Sequence, residues 1–318
     1  MPAQTMNEII RVYIRPKSPF PKAISSDTLF GAICYGISEL YDEEAVTNML
    51  NREKPPFIIS SAFPFIENDG KIEHFFPKPI VDPARVDIGL LERAKRYKKA
   101  AFIHESIFYD WINGEMSELK LIEGQGDKYK VEKGLLMPKG LDIKFDIKTM
   151  DLMQNILNRL TTQSENFFYL TRAYFLGSGL FFILRFYDDY KKEVLAAMRF
   201  LEDRGLGGDI STGKGWFEFF LKDTGIPEAK DGNNFVTLSR YCPTKEEIAG
   251  FDKDKMWYEL EKIQGRCQDG VTKRSIFMFR EGSTFQDTGK ELYGKIEKVR
   301  ENPDVVEFGY AFPVKGSF

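Results

Sequence analysis

The sequence predicts an α+β protein made of two ferredoxin-like units in tandem, with an irregular segment inserted between them. The order strand–helix–strand–strand occurs twice, first between residues 8 and 76 and again between residues 180 and 240. The 318 residues are enough for two domains. We therefore expect an N-terminal domain that contains the insertion over residues 1–150 and a C-terminal domain over residues 151–318.

The first unit opens with a strand at Glu8–Ile14, where the residues alternate and are rich in β-branched side chains. Three prolines then predict an extended loop. Ser26 is suited to cap a helix over Asp27–Leu40, whose apolar residues recur at helical spacing. Two strands complete the unit, at Phe57–Phe63 and, after the turn signal Asn68-Asp69-Gly70, at Lys71–Phe76.

The second unit repeats this order after the middle of the chain. In the middle, Leu141–Lys148 alternates strictly and predicts a half-buried strand, and we expect the domain boundary between Leu141 and Thr171. The repeated strand, helix and two strands are predicted at Leu180–Phe186, Tyr190–Asp203, Trp216–Leu221 and Asn234–Arg240, with later strands at Ser275–Arg280 and Val305–Phe312.

Composition limits the function classes. The net charge of −3 disfavours a free-standing nucleic-acid binder, so RNA would bind along local basic stripes or inside an assembly. The cysteines Cys34, Cys242 and Cys267 are scattered without metal-ligand spacing, which predicts free thiols, no metal and no cofactor. No signal peptide and no run near 18 apolar residues is found, so we expect a cytoplasmic protein.

A glycine-rich loop at residues 205–217 is the strongest binding signal. It reads GLGGDISTGKGWF and lies between a predicted helix and a predicted strand. Glycines allow close backbone approach, exposed N–H groups can cradle phosphate oxygens, and Lys214 adds a positive charge. This pattern favours a polyanionic ligand. A glycine-rich connection without a ligand is the plainer alternative.

A nucleotide-binding P-loop is the first rival interpretation of this loop. Gly208, Gly213 and Lys214 fit most of that pattern, but Gly215 stands where a P-loop needs Ser or Thr to hold Mg²⁺. A P-loop also runs from strand into helix, whereas this loop is predicted to run from helix into strand.

Three further segments carry weaker signals for anion or RNA binding. Lys17–Asp27 leads into a helix N-terminus, a geometry suited to anions. Arg159–Glu165 is rich in hydroxyls and amides beside two phenylalanines, which suits single-stranded RNA or an ordinary surface turn equally. Lys78–Ala100 carries seven Lys or Arg residues against three acids, and predicts either a solvated helix face or a strip facing RNA.

Catalytic signals are weak. The two histidines, His74 and His104, stand in no metal-binding or nucleophile motif, and each is expected to be structural. We therefore predict no catalytic residues and no enzyme activity.

Four segments in this order are similar to one family. They are residues 13–31 (YIRPKSPF and, further on, SSDTLFG), the glycine loop ending STGKGWF, the stretch Asn158-Arg159 to Tyr169, and the tail at 273–285 followed by FGYAFP. The chain resembles the RAMP-type subunit that caps the 5′ end of the crRNA in type III-A CRISPR effector (Csm) complexes. Trp216 departs from the family, which commonly has a basic residue there, so we expect Trp216 to pack.

The resemblance implies a non-catalytic subunit in antiviral defence, built from two RRM-like domains. It would hold the crRNA 5′ handle and contact the large polymerase-like subunit and the first backbone RAMP subunit. The RNA contacts that it implies are Lys17, Ser18, Ser25, Ser26, Arg159, Thr161, Thr162, Gln163, Gly205, Gly207, Gly208, Asp209, Ser211, Thr212, Gly213, Lys214, Lys273 and Arg274.

Two alternatives stay open at this stage. A related RAMP endoribonuclease that cuts precursor crRNA would need His74 or His104 close to the glycine loop. A P-loop-like nucleotide enzyme belongs to a different class and would need ATP to bind at the loop.

Overall fold

A nine-stranded mixed sheet organises most of the chain. The structure is a computed structural model that describes residues 8–157, 164–207, 213–222, 225–226, 228–229, 232–265, 271–301 and 304–317. The sheet runs in the order β11-β1-β10-β3-β4-β5-β7-β6, and β2 also pairs with β10. Its strands are β1 (Glu8–Pro16), β2 (Phe57–Ile59), β3 (Phe63–Asn68), β4 (Lys71–Pro77), β5 (Phe102–His104), β6 (Tyr129–Glu132), β7 (Leu135–Pro138), β10 (Ser178–Phe186) and β11 (Phe217–Lys222).

The centre of this sheet is one ferredoxin-like unit built from both halves of the chain. Helix α1 (Ser26–Leu40) connects β1 to β2 and β3, and helix α6 (Lys191–Arg204) connects β10 to β11. Strand β1 lies between β10 and β11, antiparallel to both. The four central strands therefore have the order β11-β1-β10-β3, with α1 packed against α6.

This topology corrects the expected tandem arrangement. The strand at Leu180–Phe186 was predicted to open a second sheet, but Leu180 pairs with Ile14 and Phe186 with Glu8 in the first sheet. The second strand–helix–strand series thus completes the first unit. A division at residue 150 would fall inside β8 (Asp146–Leu157), and strands from both sides of it share the large sheet. Alternation identifies a strand but does not identify its neighbour.

The helices α1 and α6 cover one face of the sheet at close range. A Cβ added to Gly36 of α1 would lie 2.9 Å from the Cβ of Ala197 in α6, so the glycine lets the helices touch. Val194, Met198 and Leu201 of α6 face the core, as the helical spacing predicted. Cys34 of α1 lies among these apolar side chains, and burial raises the pKa of its thiol to about 12.

The segment between β3 and β10 extends the sheet and adds helices around it. The turn Asp69-Gly70 has positive φ at both residues, 47° and 81°, as expected for the two-residue hairpin that joins β3 and β4. The predicted strand at Leu141–Lys148 is confirmed only from Asp146, where β8 pairs with β9 (Ser164–Leu176) in a separate hairpin. The helices of this segment are α3 (Leu91–Lys98), α4 (Glu105–Ile112) and α5 (Glu118–Glu123), with a 3₁₀ turn at Ile88–Leu90. Helix α2 (Glu43–Leu50) lies earlier in the chain, between α1 and β2.

The C-terminal residues form a lobe of small sheets around an aromatic core. Phe235, Tyr241, Phe279, Phe285 and Tyr293 are buried together there. The strands pair as β15-β12-β18, β13-β14 and β16-β17. The elements are β12 (Asn234–Thr237), α7 (Lys245–Gly250), a 3₁₀ turn at Lys253–Lys255, β13 (Leu260–Ile263), β14 (Ile276–Phe279), β15 (Thr284–Gln286), β16 (Gly294–Glu301), β17 (Asp304–Tyr310) and β18 (Pro313–Gly316).

Within the described ranges, no helix is both long and apolar enough to cross a bilayer. Among the same residues, no three His, Cys, Asp or Glu side chains are grouped so as to hold a metal ion.

Candidate nucleic-acid interface

The structure joins two loops that the sequence identified separately as anion-binding. The backbone N–H of Lys17 donates to the carbonyl of Trp216 at 2.8 Å, and the Trp216 N–H donates to the Ser18 hydroxyl at 2.9 Å. The Gly215 N–H donates to the Pro19 carbonyl at 3.1 Å. The loop after β1 and the glycine-rich loop before β11 therefore form one surface, because β1 and β11 are neighbours in the sheet.

Two glycines of this surface are required by geometry. Gly215 has φ +79°, and a Cβ there would lie 2.3 Å from the Leu206 carbonyl oxygen. Gly207 has φ +100°, and a Cβ there would lie 3.2 Å from Cγ of Pro21. The Leu206 N–H donates to the Gly215 carbonyl at 2.8 Å, which closes the ends of the glycine loop on each other. Gly205 ends α6 with φ +98°.

Among the described residues of this surface, Lys214 and the aromatic ring of Trp216 can face a ligand. Lys214 is half-buried and Gly213 beside it is exposed. Lys17 lies nearby but forms an ion pair with Glu218 at 2.8 Å. Trp216 is 55% exposed, so the expectation that it packs is wrong. An exposed indole offers a flat apolar surface of the kind on which nucleic-acid bases stack, and the sequence reasoning missed this exposure.

The two serines before α1 have different environments. Ser25 is half-buried, and its hydroxyl lies 3.0 Å from that of Thr28. Ser26 is fully buried; its N–H donates to the Ser61 hydroxyl and its own hydroxyl accepts from the Arg240 N–H at 3.0 Å. Ser26 therefore binds the C-terminal lobe to α1 and is not exposed to RNA. A serine at a helix start has the same sequence pattern in either role.

The other predicted contacts lie elsewhere. Lys273 pairs with Glu307 at 2.8 Å and Arg274 with Glu297 at 2.6 Å, both within the C-terminal lobe. These two cations are engaged by carboxylates and belong to a different surface from the glycine loop. The predicted residues Arg159, Thr161, Thr162, Gln163, Gly208, Asp209, Ser211 and Thr212 lie outside the described residues.

His74 takes part in a buried network of hydrogen bonds with Tyr13, Glu105 and Arg11. Its Nε2 lies 2.8 Å from the Tyr13 hydroxyl and its Nδ1 lies 2.8 Å from Glu105 Oε2. Glu105 also accepts from Arg11 at 2.6 Å. Burial raises the pKa of Glu105, but the hydrogen bond from His74 and the charge of Arg11 outweigh it and hold that pKa at about 2. The network ties β1, β4 and α4 together.

His104 is held in a similar way one strand further from the loop. Its Nε2 lies 3.0 Å from Glu73 and its Nδ1 lies 2.8 Å from the Ser106 hydroxyl. His104 lies on β5, four strands from β1 in the sheet order. At about 4.8 Å per strand, its backbone is ~19 Å from the strand that leads into the loop. Both histidines therefore make hydrogen bonds to neighbouring side chains within the protein.

Comparison with known proteins shows similarity to Csm4. Residues 230–315 match the family model of the CRISPR Csm4 C-terminal domain. The chain is 28% identical to the curated "CRISPR system Cms protein Csm4" of Thermococcus onnurineus (strain NA1). The alignment spans 317 residues and covers 97% of each chain. The chain is thus similar to Csm4 over nearly its whole length, and its C-terminal part matches the Csm4 C-terminal domain.

Solved structures show a similar fold. A chain in the crystal structure of the Csm3-Csm4 subcomplex of the type III-A CRISPR-Cas interference complex is 18% identical, with a TM-score of 0.72 over 97% of this chain and 100% of that one. A chain of the Csm1-Csm4 cassette in complex with cA4 is 22% identical, with a TM-score of 0.61 over 98% of both.

Proposed function

We propose that the protein is a non-catalytic, RNA-binding subunit of a type III-A CRISPR interference complex in the cytoplasm. It holds the 5′ handle of the crRNA and joins a large polymerase-like subunit to a backbone RAMP subunit. Its Csm4 relatives have been solved with Csm3 and with Csm1, which supports these two partners. The observation that carries the RNA role is the joined surface of residues 17–21 and the glycine loop.

The groups on this surface suit contacts to the RNA phosphate backbone better than recognition of its bases. Glycine backbone, the Ser18 hydroxyl and Lys214 are groups that contact phosphate, and such contacts position a strand without reading its sequence. Arg159, Thr161, Thr162, Gln163 and the loop residues Gly208, Asp209, Ser211 and Thr212 remain predicted contacts.

A non-catalytic role is supported by the engagement of both histidines. His74 is buried, and its two ring nitrogens contact Tyr13 and Glu105. The P-loop alternative is disfavoured because α6 ends at Arg204 and β11 starts at Phe217, so the loop runs from helix into strand.

The C-terminal lobe is proposed as the second, degenerate RRM-like unit. Its first elements are strand β12, helix α7 and the hairpin β13-β14, and the family model for this region begins at residue 230. We therefore propose that the division between units falls between β11 and β12.

Lys214→Ala tests the RNA role in the complex reconstituted with its partner subunits. One lost phosphate contact should lower the slope of log affinity against log salt by about 0.7 for single-stranded RNA, equally for all handle sequences. Lys192→Ala, an exposed lysine at the opposite end of α6, is the matched control. An unchanged affinity and slope in Lys214→Ala would mean that the loop is a structural connection.

The non-catalytic role has its own test. Precursor RNA should stay intact when incubated with the purified chain.

A further inference from the structure

A polar cleft lies between the large sheet and the C-terminal lobe, separate from the glycine loop. Its volume is about 500 Å³, within the usual range of ligand sites. One wall comes from the start of α1, the segment after β4 and the end of α3. The other wall comes from β13 and the residues around β14. We call this space the interlobe cleft.

The two walls of the interlobe cleft differ in charge. The first wall carries Lys78, Lys98 and Lys99, together with the hydroxyls of Ser25 and Thr28. Lys98 and Lys99 are exposed at the end of α3, and the Lys78 ammonium lies 4.2 Å from the centre of the Tyr97 ring. Burial lowers the pKa of Lys78, so this cation is partly desolvated and gains from a nearby anion.

The opposite wall has its arginines neutralised by carboxylates. Arg240 Nη1 contacts Asp27 at 3.1 Å and its Nη2 contacts Glu261 at 3.1 Å. Arg280 Nη1 contacts Glu259 at 2.9 Å. Among the described residues, Lys98 and Lys99 form no ion pair in the cleft, whereas Lys78 is attracted to Glu118 and Glu259. The carboxylates of the other wall repel phosphate, so a phosphate is favoured on the lysine wall.

The interlobe cleft and the glycine-loop surface are lined by neighbouring residues of the loop after β1. Pro21 lies against Gly207, while Ala23 and Ser25 line the cleft. Pro21 and Ala23 are two residues apart, which is about 7 Å in extended chain. An RNA strand bound at the glycine loop would therefore reach the cleft within a short distance. Phe20 and Ile24 are fixed by backbone pairing to Ala173 and Ala62, which holds the connecting segment in place.

We propose that the interlobe cleft binds the single-stranded RNA beyond the glycine loop, with phosphates on the wall of Lys78, Lys98 and Lys99 and bases towards the carboxylate wall. The inference rests on the proposed RNA-binding function and extends its path. It assigns a role to the basic residues at the end of α3, which the sequence left open between a solvated face and an RNA contact.

The test is the double variant Lys98→Ala/Lys99→Ala in the reconstituted complex, measured as RNA affinity against salt concentration. Losing two phosphate contacts should lower the salt slope by about 1.4. Lys95→Ala/Lys128→Ala removes the same charge from exposed positions that do not line the cleft, and should leave the slope unchanged. Thermal unfolding of each variant checks that the fold is retained.

The outcomes separate this proposal from the proposed function. A lower slope in Lys98→Ala/Lys99→Ala but not in its control supports the cleft, whatever Lys214→Ala does. If Lys214→Ala lowers the slope and Lys98→Ala/Lys99→Ala does not, the cleft proposal is overturned and the glycine-loop function stands. If neither lowers it, both fail.

Photo-crosslinking provides a second measurement that does not depend on substitution. RNA carrying 4-thiouridine at successive positions should crosslink first to the glycine loop and then to peptides spanning residues 78–80 or 98–102. Crosslinks confined to the glycine loop at every position would overturn the proposal.

Discussion

Arg11, Glu105, His74 and Tyr13 show how single residues combine into a structural unit. Arg11 is 2% exposed and forms its ion pair with Glu105 at 2.6 Å, while His74 bridges Glu105 to Tyr13. A buried guanidinium needs this partner because an unpaired buried charge is costly. Each of these side chains is common in proteins, and the network exists because the fold brings all four into contact.

Replacing Glu105 with Gln should destabilise the fold by about 3 to 5 kcal/mol at neutral pH, because Arg11 loses its counter-charge. The pKa of Glu105 in the folded state is about 2, below its ordinary value of 4.5. Its contribution is therefore fully present above pH ~4.5 and lost as the pH falls towards 2. Urea unfolding of both proteins between pH 3 and 7 measures this difference.

The exposed carboxylate Glu44 provides the control. Glu44→Gln should change the free energy of unfolding by less than about 0.5 kcal/mol at every pH. A difference between wild type and Glu105→Gln that stays constant on acidification would contradict the assigned network.

Gly213 and Gly215 form a matched pair for the glycine loop. Both have positive φ, +74° and +79°, but only Gly215 would bring a Cβ against another atom, the Leu206 carbonyl. Gly213→Ala should cost about 1 to 2 kcal/mol from backbone conformation alone. Gly215→Ala should cost more and also weaken RNA binding, because the loop must move. Unfolding and RNA-binding curves for the two variants check this order, and equal effects would count against it.

At the scale of elements, α1 and α6 are held together by small residues. Gly36 is buried in α1 directly over Ala197 of α6, whereas Gly31 in the same helix is exposed with nothing within 4 Å of an added Cβ. The two glycines look alike in the sequence. Their different surroundings come from which face of α1 meets α6.

Gly36→Leu should destabilise the protein by about 1 to 3 kcal/mol, since the larger side chain forces α1 away from α6. Gly31→Ala should instead stabilise it by up to about 1 kcal/mol through helix propensity. Thermal denaturation of the wild type and both variants measures whether the midpoint temperature falls for Gly36→Leu and rises for Gly31→Ala. A Gly36→Leu protein as stable as the wild type would show that the two helices are not in close contact.

At the scale of the whole molecule, the central unit is formed by distant parts of the chain. Strand β1 lies between β10 and β11, both of which follow it by more than 160 residues. The C-terminal lobe also contacts this central unit, because Phe308 stacks on Phe30 of α1 with ring centres 4.2 Å apart. The fold is therefore rich in long-range contacts.

Separately produced fragments 1–150 and 151–318 should not fold alone but should associate when co-expressed. Alone, β1 would expose both of its edges and the apolar face under α1. Co-purification of the two fragments, with circular dichroism of each one alone, tests this. A folded, monomeric 1–150 fragment would contradict the pairing of β1 with β10.

Local elements followed closely from residue patterns. The helix predicted at Tyr190–Asp203 is found at Lys191–Arg204, and the strand predicted at Lys71–Phe76 is found at Lys71–Pro77. The predicted strand Phe57–Phe63 is instead two strands, β2 and β3, separated by residues 60–62. Alternation continues through such an interruption, so the pattern could not show it.

By itself, the sequence determined the two helices and most strands of the central unit, the α+β class, the backbone freedom of the glycine loop and the family resemblance. These depend on neighbouring residues, whose spacing is visible in the chain. Only the tertiary structure decided that Leu180–Phe186 lies beside Glu8–Ile14, that Ser26 is buried against Arg240 and that Lys98 and Lys99 line the interlobe cleft. Each of these joins residues far apart in sequence, and strand partners and burial are set by the packing of the whole chain, which no local pattern records.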